Sequence, residues 1–163
     1  MQYTDKAHVF EQLVQLVAAK LQLATRQQRD SQRGAFHEEN KAEGSKDTRS
    51  TEASYLARGL AQRVADLRHD LALLNKLKLR RFAKDDPVAL GALLVVEDDD
   101  GLRAYYFIAP GEGGITINID DVAVRVITTK SPLGRALLGQ RLDDEIEFDS
   151  PQGRKNLLIT QIL

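Results

Sequence analysis

Apolar residues in the first half of the chain recur at helical spacing. Val9, Leu13, Leu16, Lys20 and Leu23 step by 4, 3, 4 and 3, with Lys20 in register. Phe10, Val14, Val17, Leu21 and Ala24 widen the face. That stripe is too regular for a loop and too long for a strand, so it predicts an amphipathic helix. Thr4 is the expected N-cap and Asp5 sits where a carboxylate suits the helix dipole. The helix is expected to end near Asp30 or Arg33, a length on the order of 40 Å. A second helix is expected to begin between Thr48 and Thr51, with Ser50 or Thr51 as cap and Glu52 in the first turn. From Ala53 the residues Leu56, Leu60, Val64, Leu67, Leu71, Leu74 and Lys78 follow a near-heptad register, which points to coiled-coil packing. The helix is expected to stop near Asp85-Asp86-Pro87, because proline disfavours helix in the residue before it.

Two heptad helices joined by a short polar segment form, most simply, an antiparallel hairpin. No third long helical pattern follows to complete a bundle. The joining stretch, Phe36–Asp47, is acid-rich, with Gly34 before it and Gly44 inside it. The end of the hairpin is placed at about residues 34–50.

Beyond Pro87 the pattern changes. Val88–Val96 and Leu102–Ala109 are apolar runs flanking Glu97–Gly101, a β-hairpin signal. Ile115–Ile119 and Val122–Ile127 are rich in β-branched residues. Ser131–Gly139 reads as a miniature helix, with Ser131 as N-cap, Pro132 at the first position and Gly139 as the left-handed C-terminal residue. Asp143–Phe148 and Arg154–Ile162, about the turn Ser150–Gly153, make a last hairpin. The fold class is therefore α+β: a helical hairpin over residues 1–84, then a mostly antiparallel sheet with one short helix over 87–163.

Composition narrows the function without choosing it. The 163 residues carry a net charge of −1, with 29% charged and 42% hydrophobic residues, which excludes a disordered chain. There is no cysteine, hence no disulfide framework and no thiolate metal site. No apolar run approaches the roughly 20 residues that span a bilayer, and the N-terminus lacks the features of a signal peptide. No membrane association and a cytoplasmic location are expected. Residues 1–86 hold 16 Lys/Arg and 12 Asp/Glu, net +4, while residues 87–163 hold 7 and 12, net −5. The two halves thus have surfaces of opposite sign.

The segment Ser131-Pro132-Leu133-Gly134-Arg135-Ala136-Leu137-Leu138-Gly139, followed by Asp143-Asp144-Glu145-Ile146 and Pro151-Gln152-Gly153, resembles the end of the bacterial Gre transcript-cleavage factors. Leu90-Gly91-Ala92 and the whole-chain plan are similar too. The resemblance implies an FKBP-like C-terminal domain that docks on the secondary-channel rim of bacterial RNA polymerase, with Ser131, Pro132 and Arg135 as partner-binding residues. It implies a coiled coil inserted into that channel, whose end acids help hold a second Mg²⁺ in the polymerase active site during cleavage of backtracked RNA. On this view the chain is not itself an enzyme, binds no cofactor stably, meets the RNA 3′ end only indirectly and is expected to be a monomer.

Hydrolysis on two metals needs one ion to activate water and another to stabilise the leaving oxygen, and Mg²⁺ accepts one or two protein carboxylates. Glu39, Glu43 and Asp47 are the candidate acids, Glu39 and Glu43 being the metal-facing pair four residues apart. The family carries an Asp three residues before the Glu that Glu43 matches. Here that position is Asn40, with Lys41 and Lys46 nearby. These substitutions favour the alternative of a non-cleaving channel regulator that competes with cleavage factors or modulates initiation. His37, His8 and His69 lack a second ligand at metal spacing. Asp98–Gly101 reads as a turn, and Gly111–Gly114 lacks the setting of a phosphate-binding loop. Arg26, Arg29, Arg33, Arg49, Arg58 and Arg63 could meet nucleic acid but show no interleaved aromatics. A prolyl isomerase or chaperone is a third reading, weakened by few aromatics and no evident deep apolar pocket in the sequence.

Overall fold

The computed structural model describes residues 3–39, 47–150 and 153–163. Helix α1 spans Tyr3–Glu39 and α2 spans Asp47–Lys76, followed by strands β1 (Leu93–Asp98), β2 (Arg103–Ala109), β3 (Thr116–Ile119) and β4 (Val122–Thr128). A short α3 (Pro132–Leu137) precedes β5 (Glu145–Ser150) and β6 (Gly153–Ile162). The α+β class and the order of elements match the sequence reading. The chain divides into two compact units, residues 15–72 and residues 1–14 with 73–163. The foot of α1, residues 1–14, thus falls in the same compact unit as the sheet.

In the first unit, residues 15–39 and 47–72 are joined by only seven residues, so the two helices run antiparallel. Val17 and Leu67 are at most 1% exposed, which a solitary helix does not allow. The seam differs in detail from the expected one. On α1 it follows Val17, Leu21, Ala24, Gln28 and Ser31, all buried or half-buried, whereas Leu16 and Leu23 are exposed. On α2 it follows Ala53, Ala57, Leu60, Val64, Leu67 and Leu71, and Leu56 is 61% exposed.

In the second unit the six strands form one sheet in the order β3-β4-β2-β1-β6-β5. Four of its pairings are antiparallel, but β2 and β4 run parallel, with Tyr106 opposite Arg125. The expectation of a mostly antiparallel sheet thus needs one parallel pair added. The crossover from β2 to β4 carries β3 on the sheet edge, so Ile115–Ile119 pairs only with β4. Leu93–Val96 are buried on both faces, which is why β1 reads as a continuous apolar run. On one face Leu94, Val96, Tyr106, Ile108, Leu157 and Ile159 pack with Leu137 of α3. On the other, Phe107 meets Phe10 of α1 with ring centroids 6.2 Å apart.

Helix α2 stops at Lys76, well before the predicted end near Asp85. The residues that follow are good helix formers, so tertiary contacts decide the matter. Leu77 and Leu79 lie over Gly91, where an added Cβ would stand 3.3 Å from Leu79. The carbonyl of Arg80, which a longer helix would use internally, accepts a 2.5 Å hydrogen bond from the Lys6 ammonium. Phe82 has Lys6 above its ring at 4.8 Å and Arg80 at 4.1 Å, and Arg80 pairs with Asp86 at 2.6 Å. Asp86 also accepts from the Ala83 amide; that bond and Arg80 hold its carboxyl below the usual range.

Candidate functional site

Two places hold the residues singled out from the sequence. At the hairpin end, Glu39 is the last residue of α1 and Asp47 the first of α2. In sequence these two acids flank the seven residues that join the helices. Glu43, with Asn40, Lys41 and Lys46, lies outside the described residues. Carboxylates are hard donors suited to Mg²⁺. Among the described residues no group of three or more His, Asp or Glu could hold a metal ion.

The second place is α3 and the sheet face beside it. The Ser131 hydroxyl accepts from the Gly134 amide at 3.0 Å and donates to the Thr128 carbonyl at 2.8 Å. Its backbone is extended, as an N-cap requires, and Pro132 follows at the start of the helix. A Cβ on Gly134 would stand 2.0 Å from the Thr128 carbonyl oxygen, so only glycine lets α3 sit this close to the end of β4. Gly139, at φ +83°, leaves the helix in the left-handed conformation and donates to the Val88 carbonyl at 2.9 Å. Of the three expected partner residues, Ser131 is thus committed to the fold. Pro132 and Arg135 are exposed, and Arg135 also donates to the Lys130 carbonyl at 2.6 Å.

Helix α3 is six residues long and covers only part of its sheet face. Beside it lies an open groove of about 820 Å³, walled by Tyr106, Arg125, Ile127, Leu133, Phe148 and Leu157 among others. Burial pushes the Tyr106 phenol above its ordinary pKa, and Arg125, hydrogen-bonded to it, opposes the rise. Sequence reasoning missed this groove because its walls come from five separate segments. The available signal was the parity of β2 and β4, which sets Ala104 and Tyr106 on the same face as Arg125 and Ile127. Mixed apolar and charged walls suit a protein surface better than a small apolar ligand.

Residues 83–163 match the family described as "Transcription elongation factor, GreA/GreB, C-term". The chain is 34% identical over 120 residues to transcription elongation factor GreB of Pseudomonas aeruginosa, an alignment covering 70% of this chain and 67% of that protein. The chain belongs to the GreA/GreB family. Since the GreB alignment covers 70% of the chain, it extends past the sheet into the helical part. Transcription elongation factor GreA of Sphingopyxis alaskensis is 39% identical over 99 residues, 61% of this chain and 58% of that one. Transcription inhibitor protein Gfh1 of Thermus thermophilus is 28% identical over 92 residues, 55% of this chain and 56% of that one. The chain thus spans somewhat under two thirds of the GreA and Gfh1 relatives it matches. Among the described residues, no helix of this Gre-family chain is long and apolar enough to cross a membrane.

Proposed function

We propose that this Gre-family chain acts on bacterial RNA polymerase as a non-enzymatic transcription factor. The sheet unit docks on the polymerase, and the hairpin reaches its active site through the secondary channel. Family membership supports the partner. What supports the mechanism is that Glu39 closes α1 and Asp47 opens α2, so that in sequence the two acids flank the segment joining the helices. The α1 arm behind Glu39, residues 15–39, is about 37 Å long at 1.5 Å per residue, enough to deliver carboxylates where a globular unit could not enter. There Glu39 and Glu43, with Asp47 as third acid, would help hold the polymerase's second Mg²⁺, and the polymerase would hydrolyse the backtracked RNA. The factor would keep no metal of its own. Docking is assigned to Pro132, Arg135 and the adjacent groove, with Ser131 holding α3 in place.

A second reading has its own support. Asn40 stands where the family's Asp is expected, Lys41 and Lys46 add positive charge beside the acids, and one relative carries the name transcription inhibitor. On this reading the chain occupies the channel without promoting cleavage. A backtracked elongation complex separates the two. Faster 3′-end cleavage with the wild type, lost in Glu39→Ala/Glu43→Ala, supports the first. Polymerase binding and competition against a cleavage factor, without cleavage, supports the second. Absence of polymerase binding rejects both.

A further inference from the structure

Three strands put a row of side chains across the part of the sheet face that α3 leaves open. Arg125 of β4 stands opposite Tyr106 of β2 on one side and Thr116 of β3 on the other. Strand alternation sets Ala123 and Ile127 on the same face, to either side of Arg125. Arg125 and Ile127 wall two depressions at once. One is the groove of about 820 Å³ described above, and the other, of about 600 Å³, is bounded by Gly113, Gly114, Thr116 and Ser131 among others. The two meet at these shared residues and form one trough across β4, running toward the sheet edge at β3.

The guanidinium in this trough is held but not neutralised. Arg125 is exposed and donates to the Tyr106 phenol, an uncharged partner. Among the described residues it forms no ion pair. Its neighbours Tyr106, Thr116, Ala123 and Ile127 bring no acid. The other charges on the walls are engaged or stand apart. Arg103 pairs with Glu97 at 3.3 Å, and the Asp98 carboxylate accepts from the Asp100 and Leu102 amides of its own turn. Asp121 precedes β4, and Lys155 belongs to β6. Covering an unpaired guanidinium with apolar surface is costly, whereas a carboxylate makes a bidentate pair with it. A phosphate would bring nearly two charges to one cation between apolar walls, the poorer match. We propose that Arg125 receives the carboxylate of an Asp or Glu on an extended segment of a partner protein. In an extended chain the residues two before and two after the acid share its face, so an apolar side chain at each would enter one depression. The inference rests on the docking role given to this groove above, and adds what the docked segment must present.

Two experiments on the full chain test it, each with wild type, Arg125→Gln, Arg125→Lys and Arg103→Gln, whose folding circular dichroism checks. In the first, random peptides displayed on phage are selected on the wild type, and the winners are measured by fluorescence anisotropy. They should carry an Asp or Glu between apolar residues and bind the wild type at least tenfold more tightly than Arg125→Gln. Arg125→Lys should recover part of the loss, since it restores the charge without the bidentate geometry. Arg103→Gln, at a cation already paired, should change affinity less than about twofold. No enriched peptide, peptides without an acid, or an affinity that Arg125→Gln leaves unchanged or Arg103→Gln lowers equally overturns the proposal. The second experiment measures binding to bacterial RNA polymerase. Equal binding of wild type and Arg125→Gln leaves the docking reading standing and overturns the proposal. If the polymerase does not bind while acidic peptides still bind through Arg125, the docking reading fails and the carboxylate site stands.

Discussion

Lys6 is the one charged side chain among the described residues that is fully buried, and its surroundings make its charge costly. Burial first, and the neighbouring Arg80 second, lower its pKa from 10.5 to about 8. The groups facing it include the Arg80 carbonyl and guanidinium and the Phe82 ring, with Asp86 tied to Arg80 and Arg141 adding its charge near Asp86. Between pH of about 8 and 10.5 the unfolded chain keeps a proton on Lys6 that the folded chain has released. Stability from this residue therefore rises with pH across that window, is complete above it and is lost as pH falls toward 8. Lys6→Met keeps the aliphatic packing and removes the titration. Relative to this variant, the wild type should gain stability as pH increases from 7 to 10. Urea unfolding of both proteins at several pH values measures it, and a constant difference between them would refute the assignment. Nothing in the sequence marked Lys6, because the groups that bury it lie more than seventy residues away.

The helices show how a period can be legible while its phase is not. Spacing by 3 and 4 identified both helices, yet α1 offers two heptad stripes, and the sequence reading centred on the one containing Leu16 and Leu23. The structure buries the stripe of Val17, Leu21 and Ala24. The same choice on α2 replaces Leu56 by Ala57. Energetic consequences follow the burial and not the hydrophobicity. Leu67, 1% exposed, should cost about 2–5 kcal/mol when cut to alanine, through lost transfer energy and the cavity left behind. Leu56→Gln, at a site 61% exposed, should stay within about 0.5 kcal/mol of the wild type. Chemical unfolding followed by far-ultraviolet circular dichroism compares the two. If Leu56→Gln proved the more damaging, the seam would be the one read from the sequence. By contrast α3 was fully legible, since Ser131, Pro132 and Gly139 are local signals that act on their own helix. The end of α2 was not, because the contacts of Leu77, Leu79 and Arg80 are with residues distant in sequence.

At the scale of the whole chain, the capped turn of Ser131–Gly139 was readable because it is a short stretch of sequence. The grouping of residues 1–14 with the sheet was not. A change from helical to strand periodicity falls at Pro87, and a cut there looks natural. The compact unit nevertheless includes residues 1–14, with Val9 and Leu13 wholly buried and Phe10 against Phe107. A fragment of residues 87–163 would carry the complete sheet but leave the Phe107 face without its helix. At about 1.5–3 kcal/mol for each buried side chain of this size, losing Val9, Phe10 and Leu13 amounts to several kcal/mol, a large share of what a domain of this length has to spare. The fragment should therefore unfold at markedly lower urea than the sheet unit of the full chain, and should bind a hydrophobic dye such as ANS where the full chain does not. Replacing Phe10 by alanine in the intact chain gives the matching partial loss. If the fragment were as stable as the intact unit and bound no dye, the foot of α1 would be an accessory of the sheet and not part of its core.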